Sequence, residues 1–289
     1  MKTVVITGSG GFLGRNLLRE FRDDVRVIAA SSKERRGESE RGNVEFIQNA
    51  SLRTLKWDDV DVLINCAYPR SSTNFEIADG LSFIQSVLSN AVDGGVRSVV
   101  NISSQSVYSQ KRTEAATEDT KPCLESTYAI GKYASELLTD SICGKLRHTN
   151  LRMASLLGVG FEPRLVNRFI RKALNGEQIV ITGGNQIFDF LDVRDAANAI
   201  ARVAVSECEW NHCYNLGSSE SWTLLEIVRK IEETISDQCG KRVSVEVNAG
   251  GEWQNSALDS KRFYAEFVWQ PRITMQQTIE DIIDNAKED

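Results

Sequence analysis

Two stretches of the chain put chemistry-bearing side chains at fixed spacing. Residues 98–109 read SVVNISSQSVYS, and residues 128–132 read YAIGK. Tyr128 and Lys132 are four apart, so on a helix they share one face. An ammonium beside a phenol stabilises the phenolate and lowers its pKa from about 10 toward working pH. A hydroxyl from Ser104 at a strand end would hold the same substrate oxygen that Tyr128 protonates or deprotonates. That equipment moves a proton at a carbinol oxygen while a nicotinamide carries the hydride. Taken alone, a Tyr/Lys pair four apart is a common surface pattern, so the case depends on what accompanies it.

What accompanies it is a glycine-rich turn at the N-terminus. TVVIT at 3–7 leads into TGSGGFLG, where Gly8, Gly11 and Gly14 stand at G-x-x-G-x-x-G spacing, with Gly10, Phe12 and Leu13 between them. One glycine makes the tight turn, the next lets backbone N–H groups approach a pyrophosphate, and the third lets the helix pack on the strand. The more familiar G-x-G-x-x-G pattern fails here, because Leu13 stands at its last glycine.

The second strand ends in VIAASSKERR, residues 27–36. An NAD enzyme sets an acidic side chain there, against the ribose 2′-hydroxyl. Ser31 holds that place with Ser32 after it, so no carboxylate repels a 2′-phosphate. Lys33, Arg35 and Arg36 just beyond, and Arg15 after the last glycine, are bases able to pair with one. The expected cofactor is therefore NADP rather than NAD, although KERRGESER also reads as a solvated mixed-charge loop.

These residues need a scaffold, and the apolar pattern supplies it. Strand candidates recur at 3–7, 25–30, 44–48, 60–67, 98–103 and 149–153, with helical patterns at 12–21, 76–92 and 126–142 between them. Near-continuous apolar strands alternating with helices predict a Rossmann-type, doubly wound parallel sheet of the α/β class. Further helical patterns at 163–174, 193–205, 224–236 and 275–286 are separated by short strand-like pieces. The expected division is a dinucleotide-binding domain of residues 1–155 plus roughly 187–217. A smaller mixed α/β substrate-binding region at the C-terminus would take 156–186 and 218–289, closing the cleft beyond the strands' carboxyl ends.

Composition narrows the function classes. The chain has 289 residues, a net charge of −6 and 26% charged residues, without the basic face that nucleic-acid binding needs. No apolar run spans a bilayer and no secretory leader is evident, so a cytoplasmic protein without a membrane partner is expected. The six cysteines follow no repeating spacing and read as free thiols. CEWNHC at 208–213 matches no common zinc spacing, so no metal is expected, and His148 and His212 are the chain's two histidines.

At this point the chain resembles an extended short-chain dehydrogenase/reductase of the nucleotide-sugar epimerase/dehydratase family, along its whole length. TGSGGFLG resembles the family's cofactor motif, NCA at 65–67 the segment after its fourth strand, SSQSVY its SSxxVYG, and YAIGKYASE its YxxxKxxxE. LRMASLLGVG resembles LRxxxxYGPG, PRLVNRFIRKALNGEQIVITGGNQIFDFLDVRDAA the core of the second region, and LDSKRFYAEFVWQP the C-terminal DxSKxxxxLGWxP. The resemblance implies Ser104, Tyr128 and Lys132 as catalytic residues, with Lys132 on the nicotinamide ribose. It implies a dinucleotide site of Gly8, Gly10, Gly11, Phe12, Leu13, Gly14, Ser31, Ser32, Lys33, Arg35, Arg36, Cys66, Ala67, Tyr68, Tyr128 and Lys132. A homodimer through helices at 76–92 and 126–142 is implied as well.

Two departures from the family refine the expectation. Its 4,6-dehydratases carry an Asp-Glu pair after the catalytic hydroxyl residue, where this chain has Gln105 and Ser106, so dehydration is disfavoured. Many members grip the substrate diphosphate with an arginine where this chain has Phe188. Tyr68, Gln105, Arg152, Arg164 and Arg168 are the candidates to face a nucleotide-sugar-like substrate, with Arg171 a further base on the same helix as Arg164 and Arg168. Three functions fit: an NADPH-dependent 4-ketoreductase, slightly favoured; a 4-epimerase with bound NAD; and a non-catalytic NADP-sensing protein, which would have no use for the Tyr/Lys pair.

Overall fold

The computed structural model describes residues 1–33, 42–69, 73–162, 164–218 and 220–288. Its strands are β1 (Lys2–Thr7), β2 (Val25–Ser31), β3 (Val44–Gln48), β4 (Val62–Asn65), β5 (Ser98–Ser104), β6 (Arg147–Met153), β7 (Ser155–Leu157), β8 (Ile179–Thr182), β9 (Ile187–Phe188), β10 (Phe190–Asp192), β11 (Cys213–Leu216), β12 (Trp222–Thr223) and β13 (Val245–Asn248). Its α-helices are α1 (Phe12–Leu17), α2 (Asn74–Asp93), α3 (Thr127–Cys143), α4 (Leu165–Leu174), α5 (Val193–Val205), α6 (Leu224–Cys239), α7 (Lys261–Phe267) and α8 (Met275–Glu288).

The buried apolar strands form the expected sheet. Seven strands pair in the order β3-β2-β1-β4-β5-β6-β11, every pair parallel. The order reverses between β1 and β4, the crevice where such sheets bind ligands beyond their carboxyl ends. The glycine turn leaves β1 at this point and Cys66–Ala67–Tyr68 leaves β4 beside it. Both faces are covered: α1 and α5 pack their apolar sides on one, α2 and α3 on the other.

α1 is shorter than the apolar pattern suggests, ending at Leu17 rather than continuing to residue 21. The strand expected over 60–67 narrows to Val62–Asn65, because Cys66 and Ala67 turn out of the sheet to meet Gly8.

A second core lies under α4, α6 and α8, with Val166, Ile170, Ile179, Ile227, Ile231 and Ile283 fully buried. α7 does not join it: Phe263, Phe267 and Trp269 pack around Tyr214 of β11 in the first core. The C-terminal segment thus ties the second region back onto the main sheet. Among the described residues, no helix is long and apolar enough to cross a membrane.

The register also builds a buried polar row across the sheet. Thr7, Asn65, Asn101 and Asn150 are register partners on β1, β4, β5 and β6. Each side chain bonds the next: Thr7 Oγ1 to Asn65 Oδ1 at 2.8 Å, Asn65 Nδ2 to Asn101 Oδ1 at 3.0 Å, and Asn101 Nδ2 to Asn150 Oδ1 at 2.9 Å. Buried amides are tolerated when each finds a partner, and here strand pairing supplies them in sequence.

Candidate active site

The Ser126 hydroxyl accepts from the Ala129 N–H at 3.1 Å and caps α3, which sets Tyr128 in the helix's first turn and Lys132 one turn on. β5 ends at Ser104, and strand alternation sends its two last serines apart. Ser103 donates inward to Glu136, whereas Ser104 faces the cleft, accepts from the Ser106 N–H and hydroxyl at 3.2 and 3.0 Å, and hydrogen-bonds Tyr128. Ser104, Tyr128 and Lys132, 28 positions apart at most in sequence, meet at the carboxyl edge of the sheet.

The electrostatics depart from expectation in one respect. Burial raises the Tyr128 pKa above the ordinary phenol value, with the Ser104 hydrogen bond and the Arg164 charge opposing it. Lys132 is not what lowers it, because its Nζ donates to the Ile102 carbonyl at 2.8 Å and stands 6.0 Å from the Tyr128 ring centre. Lys132 itself is buried, which pulls its pKa down to about 8, against the opposing pull of Cys66 and Glu136. The phenol is accordingly protonated at neutral pH and the lysine close to its own titration.

Tyr68 closes the far side of this cluster. Its ring lies 4.1 Å from Lys132 Nζ and edge-on to Tyr128 at 5.3 Å between centres, and its hydroxyl donates to the Tyr128 carbonyl at 3.4 Å. That hydroxyl sits over Gly131, where a Cβ would come within 2.1 Å of it. Burial pushes the Cys66 thiol up to about 12, so it is a neutral packing group rather than a nucleophile.

The glycine turn has the shape of a backbone cradle. Gly8 adopts φ +66°, and a Cβ there would strike the backbone of Cys66 and Ala67 at 2.8 Å. A Cβ at Gly14 would lie 2.4 Å from the Gly8 carbonyl, so helix and turn are in direct contact. Gly10 and Gly11 form the bend between them, Leu13 packs inward, and Phe12 stacks at 4.1 Å on Phe161, in the loop before α4. At the end of β2, Ser31 is buried and donates to the Lys33 carbonyl, while Ser32 and Lys33 are exposed. Arg35 and Arg36 lie outside the described residues.

Asn49 belongs to none of the sequence motifs. It follows β3 directly, next to the end of β2 where Ser31 pairs with Gln48, and its Oδ1 is buried with no hydrogen-bond partner among the described residues. An orphaned acceptor at this edge of the crevice fits an amine donor on a bound dinucleotide. The only sequence signal was a polar residue immediately after the third strand.

The substrate candidates separate on geometry. Arg152 is buried in a fork–fork pair with Glu136, its Nε and Nη2 bonding both carboxylate oxygens at 2.7–3.2 Å and its Nη1 the Tyr108 hydroxyl at 2.9 Å. It is a core residue held through all three of its guanidinium nitrogens. Gln105 is buried and accepts from Gln110 at 3.0 Å. Arg164 is exposed at the start of α4, lies over the Phe161 ring at 4.9 Å, and is the arginine whose charge reaches Tyr128. Arg168 is exposed one turn further, and Arg171 pairs with Glu162 at 3.3 Å. Phe188 stacks on Phe190 at 5.7 Å in the second core. Beside it, Asp189 is buried and accepts from the Ser218 and Leu258 N–H groups at 2.9 and 3.3 Å.

A doubly wound sheet with a backbone cradle at its switch point and a Ser-Tyr-Lys cluster beside it is the arrangement of a dinucleotide-binding enzyme class. The model of the NAD dependent epimerase/dehydratase family matches residues 4–217. The chain belongs to that family. It is 26% identical to the low-salt glycan biosynthesis protein Agl12 of Haloferax volcanii over 97% of both chains. It is 25% identical to the dTDP-glucose 4,6-dehydratase of Xanthomonas campestris pv. campestris, covering 98% of this chain and 93% of that one. The structure superposes on that of UDP-glucuronic acid 4-epimerase from Bacillus cereus in complex with UDP-glucuronic acid and NAD, with a TM-score of 0.83 and 19% identity over 99% of each chain.

Proposed function

We propose that the protein is an NADP-dependent oxidoreductase that transfers a hydride at a keto or carbinol carbon of a nucleotide-diphospho-sugar, working as a 4-ketoreductase. The observation that carries this reading is the Tyr128 phenol, bonded to Ser104 beside the buried Lys132 and raised in pKa by burial. A protonated phenol is the form a carbonyl reduction needs as its acid. Gln105 and Ser106 offer no carboxylate for the second proton transfer of a dehydration.

The sugar's keto oxygen sits between the Ser104 hydroxyl and the Tyr128 phenol. A bound reduced nicotinamide would supply the hydride. The phenol proton passes to the oxygen as the carbon is reduced, so ketone, hydride and proton sum to the alcohol. The Ser104 hydrogen bond and the Arg164 charge favour the resulting phenolate until solvent returns a proton, and the Lys132 donors suit the ribose hydroxyls. Gly8–Gly14 would cradle the pyrophosphate, Asn49 would take the adenine amine, and the carboxylate-free end of β2 would admit the 2′-phosphate. Arg164, at the cleft mouth and facing Tyr128, takes over the diphosphate grip that Phe188 cannot provide.

A 4-epimerase uses Ser104, Tyr128 and Lys132 identically, keeping NAD bound while hydride leaves and returns on the other face of the sugar. Reading the cofactor carried by the purified protein separates the two: an empty site that fills with NADPH supports the reductase, and tightly held NAD(H) contradicts it. The protein pairs as a homodimer through α2 and α3, whose surface leaves Phe75, Ile130 and Leu137 exposed. Light scattering at micromolar concentration checks the mass.

A further inference from the structure

The chain's two histidines, 64 positions apart, meet at the amino-terminal end of the sheet, opposite the catalytic crevice. His148 lies at the start of β6, His212 immediately precedes β11, and Asp140 projects from the last turns of α3. His148 Nε2 is 3.2 Å from Asp140 Oδ1 and 3.3 Å from His212 Nδ1, and all three atoms lie within 4.8 Å of one another.

The tautomer is fixed from outside the cluster. His148 Nδ1 faces the Leu146 carbonyl at 2.7 Å, and a carbonyl only accepts, so Nδ1 carries the proton. In the neutral ring the buried Nε2 therefore presents a lone pair to a carboxylate oxygen and to a second imidazole nitrogen. With His212 protonated on its other nitrogen, Nε2, each of the three atoms has a lone pair to offer a cation placed between them. Asn150, the last member of the polar row, donates at 2.8 Å to the same Asp140 oxygen and orients it. Ligands steadied by a carbonyl on the imidazole N–H and an amide on the carboxylate are the arrangement of a metal site's outer shell.

The spacing fits as well. Zinc bonds of 2.0–2.1 Å in tetrahedral array place neighbouring ligand atoms about 3.3–3.4 Å apart. Two of the three edges already have this length. Asp140 and His212 are exposed enough to turn and close the third.

We propose that Asp140, His148 and His212 form a binding site for a divalent transition-metal ion of the zinc type, with nitrogen and oxygen ligands. This replaces the expectation, drawn from the CEWNHC spacing, that the chain has no metal site. It also changes the ligands, since Cys208 and Cys213 are not among them. Asp140 follows Tyr128 by three helical turns and more, about 18 Å at 1.5 Å per residue. The ion is thus a clip, joining the far end of the catalytic helix to the starts of β6 and β11, and takes no part in hydride transfer.

The test is equilibrium binding of Zn²⁺ to the EDTA-treated, full-length protein, with Co²⁺ as a spectroscopic probe. The expected result is one equivalent per chain bound in the micromolar range or tighter, four-coordinate Co²⁺ bands, and a melting temperature raised by Zn²⁺. His212→Asn and Asp140→Asn change exposed residues and keep the fold, as circular dichroism checks; each should weaken binding at least ~100-fold and abolish the thermal shift. Absence of saturable binding overturns the proposal. So does an equivalent retained at unchanged affinity in His212→Asn, which would place the ion on the cysteines.

Discussion

The Lys132 ammonium stands 4.1 Å from the centre of the Tyr68 ring, closer than to the Tyr128 ring at 6.0 Å. A ring face at this distance attracts the charge and partly offsets its burial. Burial still dominates, leaving the Lys132 pKa at about 8. Below that pH the ammonium is present, and as pH rises through it the positive charge proposed to hold the ribose hydroxyls is lost. We expect kcat/KM to fall as pH rises through about 8. Lys132→Arg, permanently charged, should move the fall to higher pH while lowering the plateau, as a pH–rate profile will show.

Gly131 exists because Tyr68 needs the space. An added Cβ would meet the Tyr68 hydroxyl at 2.1 Å and Ile77 Cγ2 at 2.7 Å. Gly131→Ala should cost about 1–3 kcal/mol in urea unfolding by overpacking. Combined with Tyr68→Phe, whose nearest ring atom would be 3.3 Å away, the loss should be smaller than the sum of the singles.

Glu136 and Arg152 hold each other in the core. Each removed alone leaves an uncompensated buried charge, so Arg152→Met or Glu136→Met should cost about 3–5 kcal/mol. The double Met variant should lose less than either single. Chemical denaturation of the four proteins measures the cycle.

Ser31 sets the cofactor preference of the proposed site. Ser31→Glu would set a carboxylate against a 2′-phosphate and weaken NADPH binding at least ~10-fold, about 1.4 kcal/mol, without weakening NADH. Fluorescence titration with both cofactors checks the ratio.

Strand-turn-helix order around Gly8 and the Tyr128/Lys132 face follow from local spacing, and the doubly wound sheet follows from apolar runs. These were legible because each depends on neighbours in sequence. The Thr7–Asn65–Asn101–Asn150 row was not, since it exists only in the register of four strands. Arg152 read as a substrate base because its partner, Glu136, comes from another element. The Tyr128 pKa was expected to fall and instead rises, because spacing reports charges while solvation depends on what packs around the ring. Asn49 and the His148–His212 meeting needed the folded chain for the same reason.

Hydride transfer with Tyr128 as the proton donor can be followed by isotope transfer. NADPH deuterated at the transferring position is incubated with a panel of nucleotide-linked 4-keto sugars, and products are read by mass spectrometry and NMR. The account predicts one deuterium at the former keto carbon, with the rate reduced at least ~100-fold in Tyr128→Phe and NADPH binding retained. Absence of deuterium transfer to any of these sugars, or transfer at the full rate in Tyr128→Phe, would contradict it.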